Sequence, residues 1–128
     1  MSDQLFEEWV EKAEEDYRAA TALDVSDVPA VVCFLSQQCI EKYLKAALAR
    51  HGAAVPRTHN LIVLNDMVCE RDRRFEELSD ALDVLNPHSV AVRYPGMEVT
   101  PEDARQGLKA ASISRAKLRI LLGLEVEK

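Results

Sequence analysis

Between Pro29 and Arg50 the chain carries apolar side chains on nearly every face of what the spacing predicts to be one helix. At 1.5 Å per residue that helix is about 30 Å long. Val31, Val32, Cys33, Leu35, Cys39, Ile40, Tyr43, Leu44, Ala46, Ala47 and Leu48 surround it. Gln37, Gln38, Glu41, Lys42 and Lys45 share one arc, with Phe34 and Leu48 among them. A helix this apolar has to be covered on most sides, and a small chain can do that only at a bundle centre or at a dimer interface. The same feature favours self-association.

The rest of the sequence supplies helices to cover it. From Asp3 to Leu23, the residues Leu5, Phe6, Trp9, Val10, Ala13, Tyr17, Ala20 and Leu23 fall on one arc of a helical wheel. Glu7, Glu8, Glu11, Glu14, Glu15 and Arg18 fall on the other. Asp16 breaks the pattern, because it lies inside the apolar arc between Leu5 and Trp9. Asp27 ahead of Pro29 reads as the cap of the second helix, and His51-Gly52 as its stop. Thr58 reads as the cap of a third helix over about 59–71, with Leu61, Leu64 and Val68 inward. Phe75, Leu78, Leu82 and Leu85 follow at helical spacing, until Asn86-Pro87 breaks the run and starts a short turn through Val92. Pro95 and Gly96 bar a helix across the Arg-Tyr-Pro-Gly stretch. Thr100-Pro101-Glu102 opens the last helix, whose stripe is Ala104, Leu108, Ala111, Leu118 and Leu122, interrupted by Arg115 and closed by Gly123. No stretch alternates in polarity over a strand length. The expected fold is all-α, an antiparallel four-to-five-helix up-and-down bundle, with residues 1–128 as a single helical domain.

Charge and cysteine usage narrow the classes. The net charge of −6 argues against a coat for nucleic acid, since phosphate neutralisation needs a basic excess. Cys33, Cys39 and Cys69 have neither a CxxC spacing nor a His at ligand distance, which reads as buried thiols in a reducing cytosol. The start is acidic rather than basic-then-apolar, and no run of 18 uncharged apolar residues occurs, so the expected location is cytoplasmic with no membrane contact.

Four strings in order carry a resemblance. Phe34 to Leu48 (FLSQQCIEKYLKAAL), a Gly-containing loop, Pro56 to Leu61 (PRTHNL) and Arg93 to Pro95 (RYP), preceded by Trp9, Ala13 and Asp16, resemble the HEPN domain, the higher eukaryotes and prokaryotes nucleotide-binding family. The resemblance implies a helical bundle, commonly a homodimer. It also implies a nucleotide or RNA partner, and often a neighbouring minimal nucleotidyltransferase within a toxin–antitoxin or defence system. Many such domains are metal-independent ribonucleases built on an Arg followed, four to six residues on, by a His. None of His51, His59 and His88 has an Arg at that distance upstream, and His88 precedes Arg93 in the wrong order. Without that imidazole the usual proton carrier is missing. The chain is therefore similar to the RYP-type members, and no catalytic residue, metal or cofactor is expected.

Gln37, Glu41 and Lys45 recur at i, i+4 and i+8 and so line one helix face. One reading is a solvated stripe. The sharper one is a polar groove shared with Arg93, in which Lys45 and Arg93 meet phosphate and Gln37 reads a base edge. Asp16, on an apolar face, needs a basic partner, with Lys42, Lys45 and Arg93 as candidates. Secondary candidates are His59, expected as a first-turn His bonded to backbone, and Tyr94, expected to pack on the bundle beside Pro95. Arg115 is expected in an interface salt bridge. Arg105, Lys109, Lys117 and Arg119 read as a solvated face that becomes a phosphate patch if Arg93 joins it. The leading expectation is a binding module for a nucleotide, a nucleic acid or a nucleotidyltransferase partner. The alternatives are a ribonuclease toxin of the same fold that uses other residues, and a structural dimeric adaptor without a ligand.

Overall fold

The computed structural model describes residues 2–88 and 98–125. Five α-helices make up most of them: α1 (Ser2–Ala22), α2 (Pro29–Arg50), α3 (Leu61–Cys69), α4 (Ser79–Leu85) and α5 (Pro101–Leu121). Short 3₁₀ turns precede and follow α4, over Arg73–Leu78 and Asn86–His88. The described residues contain no strand, so the all-helical expectation holds. The turn expected at Tyr94-Pro95 lies outside the described residues.

Local chemistry sets the helix ends. Pro29 occupies the first turn of α2, but the cap position is Val28, which contributes no side-chain bond. Asp27 sits one residue too early, because its N–H and that of Val28 both close onto the Asp24 carbonyl at 3.0 and 3.1 Å. At the far end Gly52 takes φ +70°, its N–H bonds the Ala49 carbonyl, and that of Ala53 bonds Leu48 at 3.0 Å. This is a Schellman closure, which satisfies carbonyls the helix leaves unpaired. Gly123, at φ +73°, ends α5 the same way, with Leu124 N–H on the Arg119 carbonyl. Thr100 and Asp103 form a reciprocal capping box at the start of α5. The cap of α3 is Asn60, not Thr58: its side chain accepts from Ile62 and Val63 N–H at 2.9 and 3.2 Å. Thr58 instead accepts from Asn60 N–H, a turn one step upstream.

Contacts between helices fix their directions. The Arg50 guanidinium lies 3.7 Å over the Phe6 ring and Lys42 reaches Asp16, so α1 and α2 are antiparallel. Cys33 meets Gly107, and Arg50 bonds the Leu122 carbonyl at 3.2 Å, so α2 and α5 run the same way. After Gly52 the connector 51–60 doubles back along α2 until the His59 carbonyl accepts from Gln37 Nε2 at 2.9 Å. α3 begins beside the end of α4, where Asn86 Oδ1 accepts from Leu61 N–H at 2.8 Å.

α2 is the centre. Fourteen of its 22 residues are buried, Ile40, Tyr43, Leu44 and Leu48 completely. Phe6 and Ala13 of α1, Leu61, Leu64 and Val68 of α3, Phe75, Leu78, Leu82 and Leu85, and Ala111 and Leu118 of α5 cover it. At roughly 1.5–3 kcal/mol per large apolar side chain removed from water, this cluster is the main favourable term in folding. All of the cover comes from the same chain, so α2 is a bundle centre and its apolar girth does not require a second copy. Leu5 and Leu23, at the ends of the α1 stripe, stay exposed.

Candidate functional site

The polar arc of α2 is not a solvated stripe. Gln37, Glu41 and Lys45 are 0, 3 and 6% exposed, among the few buried polar residues of the chain. Their i, i+4 spacing stacks them on one face, and the returning connector lies across that face. Glu41 is the hub. Its Oε2 accepts from Lys45 Nζ at 3.0 Å and its Oε1 from Gln38 Nε2 at 3.1 Å and Gln37 Nε2 at 3.4 Å. His59 Nδ1 lies 3.1 Å from both carboxylate oxygens. Gln38 Nε2 also reaches Gln37 Oε1 at 2.8 Å, which locks both amides.

His59 therefore differs from expectation. Its ring bonds a buried carboxylate rather than backbone, because the helix it was expected to open begins two residues later. A carboxylate only accepts, so Nδ1 donates to it, and Nε2 is the ring nitrogen left free of that bond. The side chain is 61% exposed, so that face meets solvent.

This network forms one end of an open groove of about 620 Å³. Leu5 and Trp9 of α1 form one wall, Val55 and Pro56 of the connector the other, and Lys45 and Arg57 supply its charged groups, with His59 beside them. Lys45 Nζ sits 5.6 Å from the centroid of the Trp9 ring. Trp9 offers its ring rather than its N–H, since Nε1 is buried and has no hydrogen-bond partner among the described residues. An apolar trough with cations at one end suits a flat ring that bears an anionic group.

The structure brings Gln37, Glu41, Lys45 and His59 together. Asp16 does not join them. It pairs with Lys42 at 2.6 Å, the side chains 16 and 23% exposed, so it has the basic partner its place on the apolar arc demands. Arg93 and Tyr94 lie outside the described residues. Arg57, in the groove wall, lies within the Pro56–Leu61 string but has no helical periodicity to mark it as a groove residue; its place between Pro56 and His59 is the available signal.

A second polar cluster ties α1, α2 and α5. Arg115 Nε and Nη2 donate to the two oxygens of Glu14 at 2.7 and 2.6 Å, so the expected salt bridge forms within the chain. The Tyr43 hydroxyl also donates to Glu14, and Arg119 Nη1 donates to that hydroxyl at 2.8 Å. Burial pushes the Glu14 carboxyl up, but the bonds from Arg115 and Tyr43 outweigh it and hold the group below its ordinary value. Burial, then the bond to Glu14, pushes the Tyr43 hydroxyl up. Two expectations fail here. Glu14 is not on a solvated face, and Arg119 leaves the basic run, its side chain only 14% exposed. With its members consumed by one another, this cluster is a structural tie.

Other chemistry is thin. Burial pushes the Cys39 thiol far up, which makes it a poor nucleophile. Among the described residues no group of three or more His, Cys, Asp or Glu is placed to hold a metal, and no helix is long and apolar enough to cross a membrane.

A family model described as HEPN domain matches residues 6–120, which takes in both polar clusters and every groove residue but Leu5. No curated protein and no solved structure matches the chain.

Proposed function

The chain belongs to the HEPN domain family, whose members have nucleotide- and RNA-related functions, and from that premise we propose that it is a binding module holding a nucleotide in the groove between α1 and the connector 51–60. The base lies on the Trp9 ring between Leu5 and Pro56, and the phosphate faces Lys45 and Arg57. The observation that carries this reading is Lys45. A lysine 6% exposed, fixed by Glu41 at 3.0 Å and set over an indole 5.6 Å from its centroid, is a charge held in place beside an aromatic surface. Gln37 and Gln38 serve as the scaffold that fixes Glu41. Pre-placing the charge removes side-chain ordering from the cost of binding.

Trp9 is the single tryptophan, so its fluorescence reports on the groove without a label. Titration with adenosine monophosphate should quench or shift it, with adenosine weaker and inorganic phosphate weaker still. Arg57→Ala should weaken the mononucleotide about tenfold, the usual scale for one charge-assisted contact. A tryptophan signal and calorimetric heat that both stay flat with mononucleotides and short RNA would remove this reading.

One observation favours a second reading, cleavage of RNA. The His59 ring is oriented by a buried carboxylate and stands beside Arg57 and Lys45, an arrangement that can take a proton from a 2′-hydroxyl as the 2′-oxygen attacks phosphorus and the bond to the 5′-oxygen breaks, that oxygen leaving with a proton from water. This pair is not the family's usual Arg–His spacing, which the sequence lacks. Incubation with labelled RNA, with and without EDTA, separates the readings: the binding module leaves it intact, whereas a ribonuclease cleaves it and stops doing so as His59→Ala.

A further inference from the structure

The two ring nitrogens of His59 are placed for different partners. Nδ1 lies 3.1 Å from each oxygen of Glu41, and that carboxylate already accepts from Lys45, Gln38 and Gln37. Nδ1 therefore carries the hydrogen, and in a neutral imidazole Nε2 then has a lone pair and none. The ring is 61% exposed and lines the groove together with Lys45 and Arg57. Lys45 Nζ and His59 Nδ1 share one acceptor, Glu41 Oε2, at 3.0 and 3.1 Å, so the ring stands next to the ammonium group. A phosphate drawn to that ammonium meets the ring as well. Phosphate oxygens at neutral pH accept and do not donate, as does the Nε2 lone pair, so neutral His59 opposes the ligand that Lys45 and Arg57 attract.

We propose that the phosphate of the bound nucleotide is held by a doubly protonated His59, so that binding takes up a proton from solvent. This rests on the nucleotide reading of the groove, to which it adds a third phosphate ligand and a dependence on pH. The proton goes to Nε2, which then donates to a phosphate oxygen while Nδ1–H stays on Glu41. The imidazolium lies between two anions. The charges around the ring decide when this happens. From α2, Glu41 favours the second proton and Lys45 opposes it; from the connector, Arg57 opposes it as well. Toward the groove α1 brings Leu5 and Trp9, which do not titrate, and the start of α3 brings the uncharged Asn60 and Asn86. Within the protein two cations thus face one carboxylate, and a phosphate carrying close to two negative charges reverses that balance. A phosphomonoester gains more from the added donor than a phosphodiester, which carries a single charge.

Calorimetry with adenosine monophosphate in two buffers of unequal ionisation heat counts the protons taken up. At about pH 7.5 the free phosphate is largely a dianion, since its second proton leaves near pH 6, so uptake there reports on the protein. The wild type should take up about one proton per nucleotide, and its affinity should rise by up to about tenfold as pH falls from about 8 to 7. His59→Gln, whose amide offers a donor without titrating, should bind with no uptake and a flat profile over that range. His51→Gln, at the C-terminal end of α2 and outside the groove, should match the wild type. Nitrogen NMR of the imidazole follows the same event directly, with hydrogen on Nδ1 alone in the free protein at about pH 8 and on both nitrogens in the complex. A free ring with its hydrogen on Nε2, a complex whose Nε2 has none, or equal proton counts in the wild type and His59→Gln overturns the proposal and leaves the nucleotide reading standing on its own titration. No heat and no Trp9 response with adenosine monophosphate removes both.

Discussion

Glu14 shows how much one side chain depends on helices other than its own. On the α1 wheel it falls with the surface carboxylates, and nothing in α1 distinguishes it from Glu15. The distinguishing signal lies a hundred residues away, in the arginine that interrupts the α5 stripe, and only the antiparallel approach of α1 and α5 joins the two. Asp16 was legible for the opposite reason, since its anomaly lies within its own helix. The lowered pKa of Glu14 has a defined consequence. In the folded state the group keeps its charge below its ordinary value of 4.5, so the unfolded state binds more protons in that range. The stabilisation is therefore fully present above about pH 4.5 and is lost as pH falls through the lower folded value. Glu14→Gln should cost about 2 kcal/mol at neutral pH, because it leaves Arg115 poorly paired. Urea melts from neutral pH down to strong acid should show the gap between variant and wild type closing below pH 4.5. A gap that stays constant with pH would mean that Glu14 acts by packing and not by charge.

At the scale of elements, periodicity located every α-helix among the described residues, and the errors gathered at the ends. Phe75, Leu78, Leu82 and Leu85 are all buried, as their spacing requires, even though a 3₁₀ turn carries the first two and α4 the others. Caps are harder to read because several residue types serve equally well. Thr58 and Asn60 both fit a helix start, and the choice between them is made in space: the Gln37 side chain holds the His59 carbonyl, so the chain turns into the helix only afterwards. α3 has nine residues, too few to be stable without its cap and its packing. Asn60→Ala removes two bonds to helix N–H groups and should cost about 1 kcal/mol. Thr58→Ala should cost less than half as much in the same chemical denaturation series, since it loses a single exposed turn bond. Equal losses would return the cap to Thr58. The polar arc of α2 was legible as a row but not as a buried row, because burying it takes the connector, whose path has no periodicity to read.

For the molecule as a whole, the decisive question is whether one chain completes its own core. The apolar girth of α2 left that open, since a bundle centre and a dimer interface look alike in sequence. The structure answers it by cover: α1, α3, α4 and α5 enclose α2, and the surface apolar groups that remain are small outlying patches. Folding and self-docking are thereby separable. In an obligate dimer the core is split between chains and unfolding depends on protein concentration. Here the core lies within one chain, so any self-association adds stability to a chain that is already folded. The protein should keep its helical circular dichroism and unfold cooperatively when diluted far below any association range. Its midpoint should rise with concentration only where copies associate. Loss of helicity on dilution would show that the core needs a partner after all, and would return α2 to the role of an interface helix.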